Sequence, residues 1–363
     1  MSDTAKTRRL GVSRRHALGA AGAFGLTAAA FPSLGAAAGP TEGLIDVHAH
    51  IVPDFYVEAA KAAGITRPDG MPGFPAWNEA AALAVMDRQG VRTAVLSLSS
   101  PGAHFGNDAA ARALTRRVNE LTGAMKARRP DRFGFFATLP LPDVAGALTE
   151  MAYAFDQLHA DGVVIESNSA GVYPGDAALD PVFAELNRRN GVLFIHPTSP
   201  NCPCCAKAAG QGLAKPVLEF MFETTRVVAN LITSHTVDRF PNVRIIIPHA
   251  GAALPALADR LALAGSVLTP EAGLSAQDFF KAYSRFYYDL AGYPTPRGLP
   301  ALRSFAAPDR LLYGSDYPWT AEPPVERLRG ALMSALASEP DFARGVYRGN
   351  ALKLFPRLAS SAR

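Results

Sequence analysis

Eight short apolar runs, each followed by a longer amphipathic segment, constrain the fold of this chain more than any other feature. Most of the runs are continuously apolar, as expected for parallel strands that are buried on both faces. They cover residues 44–47, 93–98, 133–137, 162–165, 192–195, 243–247, 286–290 and 310–313. Eight such units within 363 residues favour a (β/α)8 TIM barrel over an open, doubly wound sheet. No G-x-G-x-x-G turn follows the first run, which argues against a dinucleotide-binding sheet.

The segments between the runs predict the helices of this barrel. Residues 143–159 start at a Pro-Asp capping signal, and residues 180–189 end before an Asn-Gly pair that is typical of a helix C-terminus. Residues 216–240 are long enough for two helices. Residues 53–78 are rich in Pro and Gly and lack periodicity, so we predict a long loop there that covers the site. The other predicted helices are residues 107–129, 254–268 and 325–336.

The first 38 residues predict a leader that directs export. Arg14 and Arg15 form a twin-arginine motif, a weakly apolar stretch follows, and Ala36-Ala37-Ala38 offers an A-x-A cleavage site. A membrane-anchoring N-terminus is the alternative, but the stretch is Ala/Gly-rich and contains Pro32, so it would span a membrane poorly. We therefore predict a cleaved signal peptide at 1–38, a barrel domain at 39–363, and a periplasmic or extracytoplasmic location. No later segment predicts a stable membrane span.

The charge of the chain excludes a nucleic-acid partner. The formal net charge is +4, but the leader holds five basic residues and one acidic residue. The rest of the chain has 31 basic and 31 acidic residues, so it carries no electrostatic footprint for nucleic acid.

The three cysteines, Cys202, Cys204 and Cys205, lie together in one short segment. A disulfide framework would spread its cysteines along the chain, so this spacing does not predict one. A second metal site is one interpretation, and a surface loop with one local disulfide is the interpretation that we favour. Neither gives these residues a catalytic role.

Polar residues with metal-binding side chains stand where the apolar runs end. His48 and His50 follow the first run, His196 the fifth, His249 the sixth and Asp316 the eighth. Residues i and i+2 of a strand face the same side, and catalytic groups of these barrels lie at the C-terminal ends of strands. One histidine at a strand end is usually structural, and an H-x-H pair alone is a weak motif. Their convergence, however, predicts a site for one divalent metal, zinc above manganese or magnesium, with a position open for substrate or water.

Several motifs resemble the amidohydrolase superfamily and, within it, the branch of aminocarboxymuconate-semialdehyde decarboxylase. Segments 52–56, 86–88 and 98–102 resemble decarboxylases that act on 6-methylsalicylate. The resemblance covers nearly all of the chain after the leader. The superfamily motifs are Asp46-x-His48-x-His50, His196-Pro197, His249-Ala250-Gly251 and Gly314-Ser315-Asp316-x-Pro318.

The resemblance implies a role for each matching residue. His48, His50, His196 and Asp316 match the metal ligands, and His249 matches a catalytic histidine beside the metal. Arg260 stands where some members send an arginine into the neighbouring subunit to bind a substrate carboxylate, which implies a homodimer. A salt bridge on the helix surface is the equal alternative for Arg260.

Three further residues are candidates for contact with an aromatic substrate. His104 and Phe105 follow the second run, in a loop that we expect to overlook the pocket, and Trp77 lies in the covering loop. Phe105 and Trp77 could equally serve as packing for these loops.

The function that these expectations favour is non-oxidative decarboxylation of a small aromatic or unsaturated carboxylic acid such as a hydroxybenzoate. The metal would bind the carboxylate and the ortho oxygen as a Lewis acid, and Asp316 or His249 would deliver a proton. The sequence contains no motif for an organic cofactor. The same residues could instead hydrolyse a lactone or an amide with metal-activated water. A solute- or metal-binding protein and a non-haem iron oxygenase fit the histidine at 249 and the eight-strand pattern less well.

Overall fold

The computed structural model describes residues 43–202 and 212–360. Eight parallel strands follow one another in chain order around a nearly closed barrel. The backbone N–H of Val47 donates to the carbonyl of Tyr313 at 3.0 Å, and that of His50 to Tyr317 at 2.7 Å, which joins the first strand to the segment after the last. The strands are β1 (Leu44–His50), β2 (Val91–Ser97), β3 (Phe133–Thr138), β4 (Gly162–Glu166), β5 (Val192–His196), β6 (Arg244–Ile247), β7 (Tyr287–Asp289) and β8 (Leu311–Leu312).

Helices connect the strands and form the outer layer that right-handed β-α-β crossovers require. Leu254–Asp259 continues through a π-helical turn, Arg260–Ala264, into Gly265–Leu268. The helices are α1 (Asp54–Ala62), α2 (Glu79–Gln89), α3 (Asp108–Arg128), α4 (Val144–Asp156), α5 (Asp180–Arg188), α6 (Glu219–Thr233), α7 (Thr236–Arg239), α8 (Leu254–Asp259), α9 (Gly265–Leu268), α10 (Ala276–Arg285), α11 (Gly298–Leu302), α12 (Glu322–Leu336), α13 (Pro340–Arg344), α14 (Asn350–Leu354) and α15 (Arg357–Ser360).

Short polar side chains fix where several helices begin. Asn78 accepts a hydrogen bond from the N–H of Ala81 at 2.8 Å, and Asn107 accepts one from Ala110 at 2.9 Å. Asp143 does the same for Gly146 at the start of α4, which confirms the predicted capping signal. Each cap satisfies a backbone donor that the helix itself leaves unpaired, and stabilises it by about 1 kcal/mol.

The interior of the barrel is filled with apolar side chains up to the level of the candidate site. Val47, Val95, Phe136, Phe194 and Leu312 belong to this inner cluster and are almost completely buried. The Phe194 ring meets the His48 ring edge-on at 5.0 Å between centroids, so the core ends directly beneath the first histidine. Replacing a buried phenylalanine by alanine costs roughly 3–5 kcal/mol, so Phe194 both holds the barrel together and supports the site.

All eight predicted runs are strands, and residues 216–240 do form two helices, α6 and α7. Between them His235 adopts a left-handed conformation with φ of 57°, which ends the first helix. The prediction of one long loop at residues 53–78 was wrong for part of the segment, because α1 and a 3-10 turn at Pro68–Gly70 lie within it. Tyr56 and Ala60, one helical turn apart, are both buried, and this short apolar stripe was overlooked among the neighbouring prolines and glycines.

Two other predictions concern residues that lie partly or wholly outside those that the structure describes. The leader, and with it the boundary at residue 38, lies outside them, as do Cys204 and Cys205. Cys202 is disulfide-bonded, in keeping with the local disulfide that was favoured.

By length and composition alone, one described helical stretch, His249–Leu268, could cross a membrane, which departs from the expectation of no such segment. That stretch contains α8 and α9, and its Arg260–Ala264 turn packs against α10.

Candidate active site

Four side chains from three parts of the barrel converge at the C-terminal ends of the strands. His48, His50, His196 and Asp316 each offer one donor atom, and these four atoms lie within 4.8 Å of one another. The Oδ1 atom of Asp316 lies 3.2 Å from Nε2 of His50 and 3.5 Å from Nε2 of His48. The histidines are buried, and the Asp316 side chain is 18% exposed. The four residues that the sequence predicted as ligands are thus brought together.

The donor atoms of this group fit a divalent metal ion. Nε2 of His48 and of His50 is buried and makes no hydrogen bond within the described part of the chain. Buried polar atoms are rarely left without a partner, because the lost hydration is costly. Three imidazole nitrogens and one carboxylate oxygen form a donor set suited to a borderline metal. A metal ion held by His48, His50, His196 and Asp316 would satisfy these atoms.

A surrounding layer of hydrogen bonds orients the rings of the first strand. Nδ1 of His48 lies 2.9 Å from Oδ2 of Asp289, and Nδ1 of His50 lies 2.9 Å from the hydroxyl of Ser97. The other oxygen of Asp289 accepts the backbone N–H groups of His249 and Ala291 at 3.1 and 3.0 Å. Such outer partners fix which ring nitrogen faces the metal. Asp289 therefore ties β7 to both β1 and the loop after β6.

Burial and charge act against each other on the pKa values of this group. Burial lowers the pKa of His48, but the charge and hydrogen bond of Asp289 outweigh it and raise that pKa to about 10. Burial opposes ionisation of Asp289 and of Asp316 as well, yet the neighbouring His48 holds the pKa of both carboxyls below the usual range. Both are therefore ionised at neutral pH, and a metal ion that binds His48 must displace a proton.

The loop after β8 presents Asp316 in a strained conformation. Its φ of 62° lies in the left-handed region, which an aspartate adopts only when its surroundings enforce it. Its N–H donates to the carbonyl of His48 at 2.7 Å, and the hydroxyl of Thr320 donates to its Oδ2 at 2.8 Å. Asp46 accepts the N–H groups of His48 and Ser315 at 3.0 and 3.1 Å, so one carboxylate joins the ligand-bearing strand β1 to the ligand-bearing loop after β8.

His249 stands beside the four-donor group rather than within it. The centroid of its ring lies 4.8 Å from that of His48 and 6.3 Å from that of His196. Its Nδ1 atom is buried and has no hydrogen-bond partner among the described residues. Burial, reinforced by the charge of His48, lowers the pKa of His249 to about 4, so this imidazole is neutral near pH 7. The position agrees with the one predicted from the sequence.

A cavity of about 420 Å³ opens at the ends of β2 to β5. None of the four donor residues lines it, but its wall includes Glu166, whose Oε2 atom lies 3.6 Å from Nδ1 of His196. Its wall combines apolar side chains such as Leu139 and Val164 with polar ones such as Thr138, Asn168 and Thr198. This mixture of apolar surface and a few polar groups is typical of a site for a small organic ligand.

The residues predicted to contact substrate are placed differently from one another. His104 lines the cavity, where its ring nitrogens meet Asp108 at 2.8 Å and the N–H of Gly106 at 3.3 Å. Phe105 and Trp77 are partly buried and pack against the core. Arg260 is exposed on the helical stretch after β6 and does not line the cavity.

Two residues that the sequence reasoning missed complete the site. Asp289 ends β7 and Glu166 ends β4, where the Oε2 atom of Glu166 lies 3.6 Å from Nδ1 of His196. The signal that found the histidines, a polar residue directly after an apolar run, also marks Glu166, whereas Asp289 lies inside the run at residues 286–290. They were overlooked because no motif surrounds them.

Comparisons with known proteins agree with this arrangement. A family model described as amidohydrolase matches residues 45–357. The chain therefore belongs to the amidohydrolase family.

Within that family the chain is similar to decarboxylases of aromatic acids, as the sequence motifs predicted. The 6-methylsalicylic acid decarboxylase of Penicillium expansum is 36% identical over 318 residues, covering 86% of this chain and 96% of its own. The decarboxylase yanB of Aspergillus niger is 36% identical over 331 residues, covering 88% and 89%. The crystal structure of 5-carboxyvanillate decarboxylase LigW from Sphingomonas paucimobilis superposes with a TM-score of 0.76 at 25% identity, covering 87% and 99%.

Proposed function

We propose that this protein is a metal-dependent, non-oxidative decarboxylase that releases carbon dioxide from a hydroxybenzoate. The observation that carries the proposal is the three-histidine, one-aspartate group at the C-terminal ends of the strands, the barrel end at which a cavity of about 420 Å³ also opens. The ionised Asp316 lies at the centre of that group, within 3.5 Å of two of its histidines. The 36% identical decarboxylase of 6-methylsalicylic acid supports the choice of an aromatic acid.

We propose zinc as the metal, because three nitrogens and one oxygen form a ligand set that zinc favours. When bound, the ion supplies Lewis acidity that holds the carboxylate and the neighbouring hydroxyl of the substrate. The proposed reaction needs no organic cofactor.

Asp316 and His249 have different roles in the proposed proton transfer. Although burial opposes ionisation, His48 and His50 lower the pKa of Asp316 and keep its carboxyl ionised. The ionised carboxylate is therefore available to accept the proton of the ortho hydroxyl. Asp316 then delivers that proton to the ring carbon that bears the carboxylate, the C–C bond breaks, and carbon dioxide leaves. The phenolate that remains takes one proton from solvent. His249 is neutral near pH 7, with a pKa of about 4. In these proton-transfer steps it therefore accepts a hydrogen bond and is not the initial acid.

The reaction is tested on the purified, metal-loaded protein with a panel of hydroxybenzoates in heavy water. We expect carbon dioxide to be released and one solvent deuterium to appear at the carbon that lost it. A hydrolase acting on a lactone or an amide would instead incorporate solvent oxygen and release no gas. That second result would contradict the decarboxylase and leave the metal-binding barrel in place.

We also propose that the protein is a homodimer. Leu263, Val267 and Leu268 are 57%, 73% and 73% exposed, and they follow Arg260 along the same helical stretch. An apolar surface of this kind is typical of a protein–protein interface, and a second copy would bring Arg260 close to a neighbouring site. Light scattering coupled to gel filtration tests this, with Val267→Glu expected to give monomers. A monomeric parent protein would contradict it.

We propose export by the twin-arginine pathway from the leader at residues 1–38. Its Arg14-Arg15 pair precedes the apolar stretch, as this pathway requires. Changing both to lysine is expected to leave the unprocessed protein in the cytoplasm. Normal processing of that variant would contradict the proposal.

A further inference from the structure

A second cavity, of about 470 Å³, opens at the end of the barrel opposite to the metal-binding group. Its wall includes Arg244 and Tyr287, the first residues of β6 and β7, so it lies at the N-terminal ends of these strands. The four donor residues of the candidate active site lie at the C-terminal ends. The proposed reaction therefore makes no use of this cavity.

Three arginines from neighbouring parts of the sheet line this second cavity. Arg244 begins β6, Arg285 ends the helix α10 that leads into β7, and Arg310 directly precedes β8. These three strands are neighbours in the sheet, which brings the guanidinium groups to one side of the barrel. No described aspartate or glutamate lines the cavity with them. The wall therefore carries positive charge that no acidic group in the wall balances.

The guanidinium group of Arg244 is only partly satisfied by the protein. Two of its nitrogens donate hydrogen bonds to the carbonyls of Leu354 and Asn190. Its Nε atom is buried and has no hydrogen-bond partner within residues 43–202 and 212–360. Burial lowers the pKa of Arg244, and no described carboxyl opposes this effect. A buried cation without a counter-charge is costly, so a bound anion would be favourable beside it.

The other two arginines have only weak carboxylate partners. An oxygen of Asp238 lies 3.6 Å from Arg285, and one of Asp309 lies 3.9 Å from Arg310, both beyond hydrogen-bond range. Arg285 also donates to the carbonyl of Pro241 at 3.2 Å. The side chains of the two aspartates are 51% and 55% exposed, and such exposed ion pairs contribute little. Both arginines therefore keep donors for a ligand.

The rest of the cavity wall is largely apolar and aromatic. Val237, Phe240 and Ile245 line it together with Tyr287. The guanidinium group of Arg310 lies 4.4 Å from the centroid of the Tyr287 ring, a contact that orients this side chain. A cavity of this size and mixed wall is typical of a site for a small organic ligand. The wall thus suits a ligand with an apolar part and an anionic group.

We propose that this cavity binds a small organic molecule that carries a phosphate group. The planar donors of arginine match the oxygens of a phosphate group. A phosphate monoester has a charge of about −1.5 to −2 at pH 7, whereas a carboxylate has only one negative charge. Three arginines without an acid in the wall therefore favour phosphate over carboxylate. The apolar wall favours an organic phosphate over inorganic phosphate.

The simplest alternative is that the arginines only stabilise the fold. Arg244, for example, connects β6 to the carbonyl of Leu354 at the end of α14. In that case a phosphate group would gain nothing from the three guanidinium groups. A test therefore has to change Arg285 and Arg310, and to leave the carbonyl contacts of Arg244 in place.

The test uses the metal-loaded protein, Arg285→Gln, Arg310→Gln and the control Arg188→Gln, which removes an arginine from an exposed ion pair on α5. Calorimetry at constant ionic strength measures the binding of phenylphosphonate, inorganic phosphate and benzoate. We expect the parent and the control to bind phenylphosphonate most tightly of the three. Each cavity variant should bind it roughly tenfold more weakly or worse, because a hydrogen bond between charged groups is lost.

Phenylphosphonate that binds at the metal end instead would bind equally to all four proteins, and that result would overturn the inference. A preference for benzoate, or equal affinity for inorganic phosphate, would overturn the assignment of an organic phosphate. None of these results depends on whether the protein releases carbon dioxide.

Thermal unfolding provides a second measurement and shows first that each variant is folded. A ligand that binds only the folded state raises the midpoint of unfolding. Saturating phenylphosphonate should raise the midpoint of the parent and of Arg188→Gln, and should raise that of Arg285→Gln and Arg310→Gln less. An equal rise in all four proteins, or no rise in any, would contradict the proposed site.

Discussion

The two halves of the site differ in the hydrogen bonding of their buried carboxylates and hydroxyls. On the metal side, Asp46 of β1, Ser97 at the end of β2 and Asp289 of β7 each hold a neighbour by hydrogen bonds of 2.9 to 3.1 Å. On the cavity side, formed by β2 to β5, Glu166 is buried with no donor among the described residues. On the metal side these hydrogen bonds fix the ring orientations and leave the Nε2 atoms of His48 and His50 to a metal ion, whereas the buried Oε2 atom of Glu166 has no such hydrogen bond among the described residues.

This difference separates two tasks that an enzyme must perform. Catalytic groups gain from being held in place in advance, because no free energy is then spent on arranging them during the reaction. Selection among similar ligands gains from an unpaired buried group, because the wrong ligand leaves it unpaired. Changes on the metal side should therefore affect metal binding or turnover for every substrate. Changes on the cavity side should affect which substrates are preferred.

The largest expected effect comes from removing a metal ligand. His48→Ala should lower metal content from about one ion per chain to near zero and abolish turnover, because three donors remain and Asp289 loses its partner. Elemental analysis of the purified variant measures this, and it also distinguishes zinc from manganese in the parent. Full metal occupancy in His48→Ala would remove it from the ligand set.

A smaller effect is expected for His249, which lies beside the group. His249→Ala should keep most of its metal and still bind substrate, yet turnover should fall by roughly 10-fold to 100-fold, because the hydrogen bond that the neutral imidazole accepts is lost. Single-turnover kinetics with parallel metal analysis measure both quantities. Loss of the metal in this variant would make His249 a ligand instead.

The support behind His48 gives a graded test of the metal side. Asp289→Asn keeps the shape of the side chain but removes the charge that faces Nδ1 of His48 at 2.9 Å. Metal affinity should fall by roughly 10-fold to 100-fold, as for other outer carboxylates. Competition with a chelator of known affinity provides the measurement, and Asp156→Asn, in an exposed ion pair with Arg189, is the control. Equal metal affinities in all three proteins would show that the pair of His48 and Asp289 has only a structural role.

The smallest expected effect concerns stability of the metal-free protein. The folded-state pKa of His48 is raised from 6.5 to about 10, so protonation of His48 favours the folded state. This contribution is fully present below pH 6.5 and is lost as the pH rises through 10. The midpoint of thermal unfolding should therefore fall between these pH values, and less steeply in Asp289→Asn. An identical pH dependence in both proteins would contradict the origin of the shift.

The sequence predicted the metal side far better than the cavity side, for a physical reason. Metal ligands must be histidines or carboxylates at strand ends, so His48, His196 and Asp316 could be recognised from residue type and position alone. Substrate contacts depend on how loops fold over the barrel, and no spacing rule fixes that. Trp77 and Phe105 accordingly pack against the core, while Glu166, which lines the cavity, was overlooked.

The fold itself was predictable because each strand is a short apolar run between longer helices. The strand ends were less so: β7 and β8 are only three and two residues long, shorter than the apolar runs that mark them. The region after β1 was misjudged because α1 buries little more than Tyr56 and Ala60, too few residues to show a helical period.

The hydrogen bond between Asp46 and the N–H of Ser315 joins residues 269 positions apart, so this part of the site depends on contact between the two ends of the barrel domain. A nascent chain that stops before β8 contains all three imidazoles but neither the carboxylate of Asp316 nor the contacts that close the barrel. Such long-range contacts form late, because the intervening chain must be ordered first. A complete four-donor group can therefore exist only in a chain whose synthesis and closure are finished. A metal ion bound by all four donors would therefore indicate that the chain has folded completely.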